Sequence, residues 1–201
     1  GMVGNYRGGA VSADADEKLD WFFGPASERV RFTEYFVQSS HNTFILGQQL
    51  KLSVRGKPID IVYVEACPIA LNLGSRLLEL DVWHAQDKLV VRHGRPGGPS
   101  NGVGLDETLA AILEWMEHEE RAAPRRIRLP VVFSIENNVA SVPAEAQMAA
   151  QFEQTFGERL VRPAAFRDPT LRDLASLRRR VIIKSRSVKG ALLGAPEWAS
   201  I

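Results

Sequence analysis

An α/β fold with parallel strands joined by helices is what this 201-residue sequence predicts, on three observations. Short apolar runs with strand character recur along the chain at 35–39, 76–83, 130–136 and 180–184. Helix-like segments long enough for parallel crossovers separate them. Polar, chemistry-bearing residues follow or end those runs: His41 and Asn42, then Glu79 and Asp81, then Glu136, then Lys184. In (β/α) architectures the carboxyl ends of the strands are where active sites are built.

Residues 1–34 read as a lead-in, Gly-rich at first, with a short amphipathic helix at 16–23 stopped by Gly24-Pro25. The run 35–39 (Tyr-Phe-Val-Gln-Ser) has the aromatic and β-branched content of a strand. Residues 47–58 contain Gly47, Gly56 and Pro58 and are expected to form a loop. A helix is expected over 61–73, closed by Gly74 and kinked at Pro68. The second strand covers 76–83 and a further short one 88–93, followed by a Gly/Pro-rich loop over 94–104. Segment 105–120 has apolar residues at Leu109, Ile112, Leu113 and Met116, the spacing of a helix with one buried face. The near-continuous apolar run 130–136 suits a parallel strand covered on both sides. Helices are expected at 144–156, ending at Gly157, and at 171–177, with a last buried strand at 180–184. Residues 187–201 carry Gly190, Gly194 and Pro196 and read as a tail or the start of a linker.

A composition that is 45% hydrophobic supports one sizeable core. With 25 Lys and Arg against 24 Asp and Glu, the net charge of +1 excludes the polyanion-binding signature of a nucleic-acid partner. Any phosphate chemistry is therefore local. The lone Cys67 forms no internal disulfide and no Cys cluster offers a zinc site, so a reducing, cytosolic setting is expected. The amino-terminal residues lack the apolar core of a secretion signal, and nowhere do eighteen apolar residues run together.

Glu79 and Asp81 stand two apart on a strand, so their carboxylates leave the same face among Leu78, Leu80 and Val82. Such a pair is costly unless compensated. A hard cation held by oxygen ligands is one explanation, and pairing of one carboxylate with an Arg, for example Arg76 or Arg92, is the other. Glu136 is either a third such acid or a helix-capping or loop-bonding one. His41 and His93 each close a strand, which suits an imidazole that must reach a substrate, or a turn histidine already satisfied. His84 and His118 read as solvent-exposed. The Arg clusters at 125–128 and 178–180 read as solvated faces that also favour anionic lipid.

The run 35–44, Tyr-Phe-Val-Gln-Ser-Ser-His-Asn-Thr-Phe, resembles the opening of the X region of eukaryotic-like phosphoinositide-specific phospholipase C. Val64-Glu65-Ala66 and Glu79-Leu80-Asp81-Val82-Trp83 resemble that family's helix and acidic strand. His93-Gly94, Ser134-Ile135-Glu136-Asn137, Phe156-Gly157 and Ile182-Ile183-Lys184 follow in the family's order. The likeness covers 35–186. It implies the X-type half of a TIM-barrel-like (β/α) barrel, with four principal strands where a closed barrel has eight. A Y-type half in cis or trans is the implied partner.

The resemblance further implies calcium as cofactor, held by Asn42, Glu79, Asp81 and Glu136. His41 and His93 are the implied catalytic histidines, with Glu79 or Glu136 as base, and Lys184 and Arg186 the implied ligands of substrate phosphate. The substrates would be inositol phospholipids at the inner face of a membrane, cleaved to diacylglycerol and inositol phosphates through a cyclic intermediate. Two departures are a longer stretch between Leu50 and Val64 and a proline at 68. A glycerophosphodiester phosphodiesterase also combines histidines with a Glu-x-Asp pair, but that family places arginine where Asn42 stands. A non-catalytic phosphoinositide-binding or regulatory half-domain is the alternative of a different class.

Overall fold

The computed structural model describes residues 38–45, 52–54, 57–59, 61–98, 100–122, 130–162 and 180–187. In chain order the elements are β1 (Ser39–Ser40), β2 (Leu52–Val54), β3 (Lys57–Ile59), α1 (Ala66–Asn72), β4 (Leu77–Ala85), β5 (Lys88–Val91) and β6 (Val103–Gly104). Then come α2 (Leu105–Ala122), β7 (Val131–Asn137), α3 (Val142–Phe156), a 3-10 turn at Gly157–Arg159 and β8 (Val181–Ser187). The expected helices at 16–23 and 171–177, the stretch 35–37, the tail beyond 187 and the Arg residues at 125–128 and 178–179 lie outside the described residues.

The main sheet runs β6-β5-β4-β7-β8, with β1 also beside β4. Four strands, β1, β4, β7 and β8, are mutually parallel and neighbour one another in sequence order. That is the pattern of successive strand–helix–strand crossovers, and it bears out the predicted α/β class. Antiparallel strands interrupt the alternation, most directly after β4. The segment 88–93 returns antiparallel to β4 as β5, through a two-residue turn in which Gln86 and Asp87 both have positive φ, 50° and 62°. Positive φ at both central residues gives the hairpin turn whose twist matches the strands.

Other expectations are corrected. The stretch 47–58 is not all loop: β2 and β3 form an antiparallel pair on either side of residues 55–56. The helix expected over 61–73 is only seven residues long, which puts Pro68 in its first turn. There the missing N–H costs no hydrogen bond, so no kink is required. The loop 94–104 ends in β6, paired with β5. β8 continues to Ser187, so Lys184 sits mid-strand and not at its end. β4 likewise runs on past Asp81, because β5 supplies it with a partner from Val82 onward.

The two faces of the sheet follow from the period of two along each strand. Leu78, Leu80, Val82, Phe133, Ile135 and Val181 are buried on one face under the helices. α2 contributes Leu105, Leu109, Ile112 and Met116, and α3 contributes Met148, Phe152 and Phe156. Phe133 meets Phe152 edge-to-face, ring centroids 5.4 Å apart. α3 is well delimited: Ser141 Oγ accepts from the Ala144 N–H at its start, and Gly157, at φ 47°, ends it. On the opposite face, Leu77, Val132 and Ile182 share one register row and pack with Val161 as a small second cluster.

Candidate metal and catalytic site

Above that apolar row the same face turns polar. The next register row is Glu79, Ser134 and Lys184, and the one after it Asp81, Glu136 and Arg186. Parallel strands in register place neighbours of one row side by side. β4 thus delivers two carboxylates to the face and β7 a third. Ligand oxygens of Glu79, Asp81 and Glu136 lie within 4.8 Å of one another, with Glu79 and Asp81 buried and Glu136 half-buried.

This proximity leaves an electrostatic mark. Asp81 is pushed up to about 6, chiefly by burial, then by the charges of Glu136 and Glu79, against the opposing effect of His93 and His41. Arg76 and Arg92, the two candidates for pairing with these acids, are engaged elsewhere. The Arg76 guanidinium donates to the carbonyls of Leu71 and Ser75 and lies over the Trp115 ring, and Arg92 donates to the carbonyls of Gly98 and Ser100.

The amino-terminal rim comes from the turn after β1. Asn42 adopts φ 48°, a left-handed conformation that Asn tolerates better than most residues. Its main-chain N–H donates to Glu79 Oε2 at 2.9 Å, and His41 Nε2 stands 3.2 Å from the same oxygen. The His41 ring is otherwise open to solvent, 80% exposed. Thr43, which the sequence reading does not single out, is 3% exposed and bonds to the Glu79 backbone.

On the other side β5 leads to His93, exposed and close enough to act on the Asp81 charge. The Arg92 N–H donates to the Asp81 carbonyl just before it, tying that turn to β4. The structure therefore gathers His41, Asn42, Glu79, Asp81 and Glu136, with His93 in electrostatic range. Lys184 is exposed in the row of Glu79 and Ser134, and Arg186 occupies the register position opposite Glu136. His118 is exposed as expected, whereas His84 is half-buried within β4.

The three carboxylates suit a hard cation, with no sulfur or imidazole required. A divalent ion would offset the mutual repulsion that raises Asp81.

Comparison with known proteins places this site in a family. Residues 29–187 match phosphatidylinositol-specific phospholipase C, X domain. The chain is 30% identical over 158 residues to the human (Homo sapiens) 1-phosphatidylinositol 4,5-bisphosphate phosphodiesterase gamma-2, covering 78% of this chain and 11% of that protein. It is 29% identical over 171 residues to the delta-3-A enzyme of Danio rerio, covering 83% of this chain and 19% of that one. The chain thus spans about a tenth to a fifth of the length of these curated relatives. Among solved structures, L. pealei PLC21 superposes with a TM-score of 0.59 at 27% identity, over 80% of this chain and 19% of that one. A match across most of the chain, with the acidic cluster inside it, makes this protein a member of the phosphatidylinositol-specific phospholipase C family through its X domain.

Proposed function

We propose that this chain is the X-type half of a (β/α) barrel and that, joined by a Y-type half in cis or trans, it acts as a calcium-dependent phosphoinositide phospholipase C. Its substrates are inositol phospholipids at the cytoplasmic face of a membrane. The observation that carries this reading is the convergence of Glu79, Asp81 and Glu136 within 4.8 Å in a chain of this family. Among the described residues four sequential parallel strands are found, half the eight that close such a barrel, which supports a partner half.

Asn42, Glu79, Asp81 and Glu136 are the residues to hold the metal. Calcium bound among them would lower the pKa of an inositol 2-hydroxyl and offset phosphate charge. Glu79 or Glu136 then receives the 2-hydroxyl proton as that oxygen attacks phosphorus and the bond from phosphorus to the diacylglycerol oxygen breaks. His93, exposed beyond the end of β5, donates the proton that the departing oxygen needs. His41, oriented by Glu79, faces the charge that develops on the phosphoryl oxygens. The cyclic inositol phosphate so formed is opened by water with the proton transfers reversed. Lys184 and Arg186 lie on the strand flanking Glu136 and recognise further phosphates of the ring.

Isothermal titration tests the reading. Calcium should bind at millimolar affinity or tighter, and Glu79→Gln combined with Asp81→Asn should abolish the heat. Absence of heat from the unaltered chain at millimolar calcium would refute the metal assignment. Cleavage of phosphoinositide vesicles should be weak for the chain alone and rise when a Y-type half is supplied; equal turnover with and without it would remove the partner from the proposal.

A further inference from the structure

β1 pairs with β4 for only two residues, Ser39 opposite Leu77 and Ser40 opposite Leu78. The chain then turns away through His41 and Asn42, the latter at positive φ, while β4 continues to Glu79. On this edge the continuing strand needs an acceptor for the Glu79 N–H that β1 no longer offers, and a buried backbone N–H left without one costs about 1–3 kcal/mol. The Thr43 side chain fills that place. Its Oγ1 accepts from the Glu79 N–H at 3.0 Å and donates to the Ser40 carbonyl at 2.9 Å. The Thr43 N–H in turn donates to the Glu79 carbonyl at 3.2 Å.

We propose that Thr43 is a positioning residue: its hydroxyl replaces the missing strand carbonyl and locks the His41–Asn42 turn against Glu79. The bonds form a closed frame. Ser40 and Thr43 bracket the turn, Thr43 holds both backbone groups of Glu79, and the Glu79 carboxylate reaches back to the Asn42 N–H and to His41. Three residues of the proposed machinery therefore depend on one buried hydroxyl that touches neither metal nor substrate. A threonine is suited to this, because its hydroxyl both donates and accepts, and Thr43 is buried. The frame itself is a property of the metal-free chain; its consequence for calcium rests on the function proposed above.

Amide hydrogen exchange on the metal-free protein separates local positioning from general stability. Thr43→Val keeps the shape and removes the hydroxyl, Thr43→Ser keeps the hydroxyl, and Thr43→Ala serves if the valine variant does not fold. Thr43→Val should speed exchange at the Glu79 and Asn42 amides by about tenfold or more, while the Phe133 and Ile135 amides of β7 keep their rates and Thr43→Ser restores the unaltered pattern. Calcium affinity by titration should fall by about tenfold in Thr43→Val and recover in Thr43→Ser. Unchanged exchange at Glu79 and Asn42, or equal acceleration at all four amides, would overturn the proposal. If the unaltered chain binds no calcium, the metal reading fails by itself and the exchange result still decides the role of Thr43.

Discussion

The face of the sheet that carries Leu78, Leu80, Phe133 and Ile135 is sealed by α2 and α3, while the opposite face of the same strands gathers Glu79, Asp81 and Glu136. Successive residues of β4 and β7 alternate between these two surroundings. On the helix side, each residue is matched by apolar partners and contributes to stability at roughly 25 cal/mol per Å2 of surface buried. On the other side, carboxylates are buried beside one another at a cost to the metal-free fold. One strand pair thus serves stability with every second residue and chemistry with the residues between. The division is graded, because the lowest row of the chemical face, Leu77, Val132 and Ile182, is still apolar.

Truncating the helix-covered face should have the largest effect on folding. Phe133→Ala removes a fully buried ring that packs on both Phe152 and Phe156, and should lower stability by about 3–5 kcal/mol in urea unfolding. Calcium affinity, measured well below the melting transition, should stay within about threefold of the unaltered chain. A parallel loss of affinity would show that the two faces are not separable.

The chemical face should respond in the opposite sense. Folded Asp81 holds its proton up to about pH 6, whereas the unfolded chain releases it near 3.8. The folded state binds the extra proton between those values, so this residue's contribution is greatest below pH 3.8 and is lost as pH rises through 6. Urea midpoints of the metal-free protein should therefore include a decline between pH 3.8 and about 6 that Asp81→Asn flattens, and that variant should melt a few degrees higher at neutral pH. Calcium should restore stability to the unaltered chain at that pH and not to the variant. An identical pH slope in both proteins would mean that Asp81 carries no such strain.

The smallest effect is expected at Lys184, exposed in the register row of Glu79, two strands away. Lys184→Ala should change stability by less than about 0.5 kcal/mol, as for an ordinary surface substitution. Sedimentation with vesicles should show a few-fold loss for polyphosphorylated inositol lipid and little loss for phosphatidylinositol. A uniform loss on both would place Lys184 outside phosphate recognition.

Much of this was legible from local pattern. The run of Val131, Val132, Phe133 and Ile135 reads as a covered strand, and the spacing of Leu109, Ile112 and Met116 reads as a helix, because period and burial are coupled wherever one face is sealed. Less legible was the β4–β5 hairpin, whose turn residues Gln86 and Asp87 are neither Gly nor Asn although both take positive φ. The length of α1 was also misread, since Pro68 is compatible with a kink or with a first turn and only the packing of its neighbours decides which. Thr43 left no local signal: a threonine after a strand is ordinary until the edge of β4 is seen to lack an acceptor there.

By itself the sequence determined that Glu79 and Asp81 share a face, because that follows from the period of two along any strand. It likewise determined the order of the four parallel strands and of the helices between them, and the residue types from which an oxygen-ligand site is built. Only the tertiary structure decided that Glu136 stands beside Asp81, that His41 and Asn42 close on Glu79, and that Lys184 falls in the row of Glu79 and Arg186 beside Glu136. Those relations depend on inter-strand register, which long-range packing and backbone hydrogen bonds set between segments far apart in the chain, and no local periodicity records it.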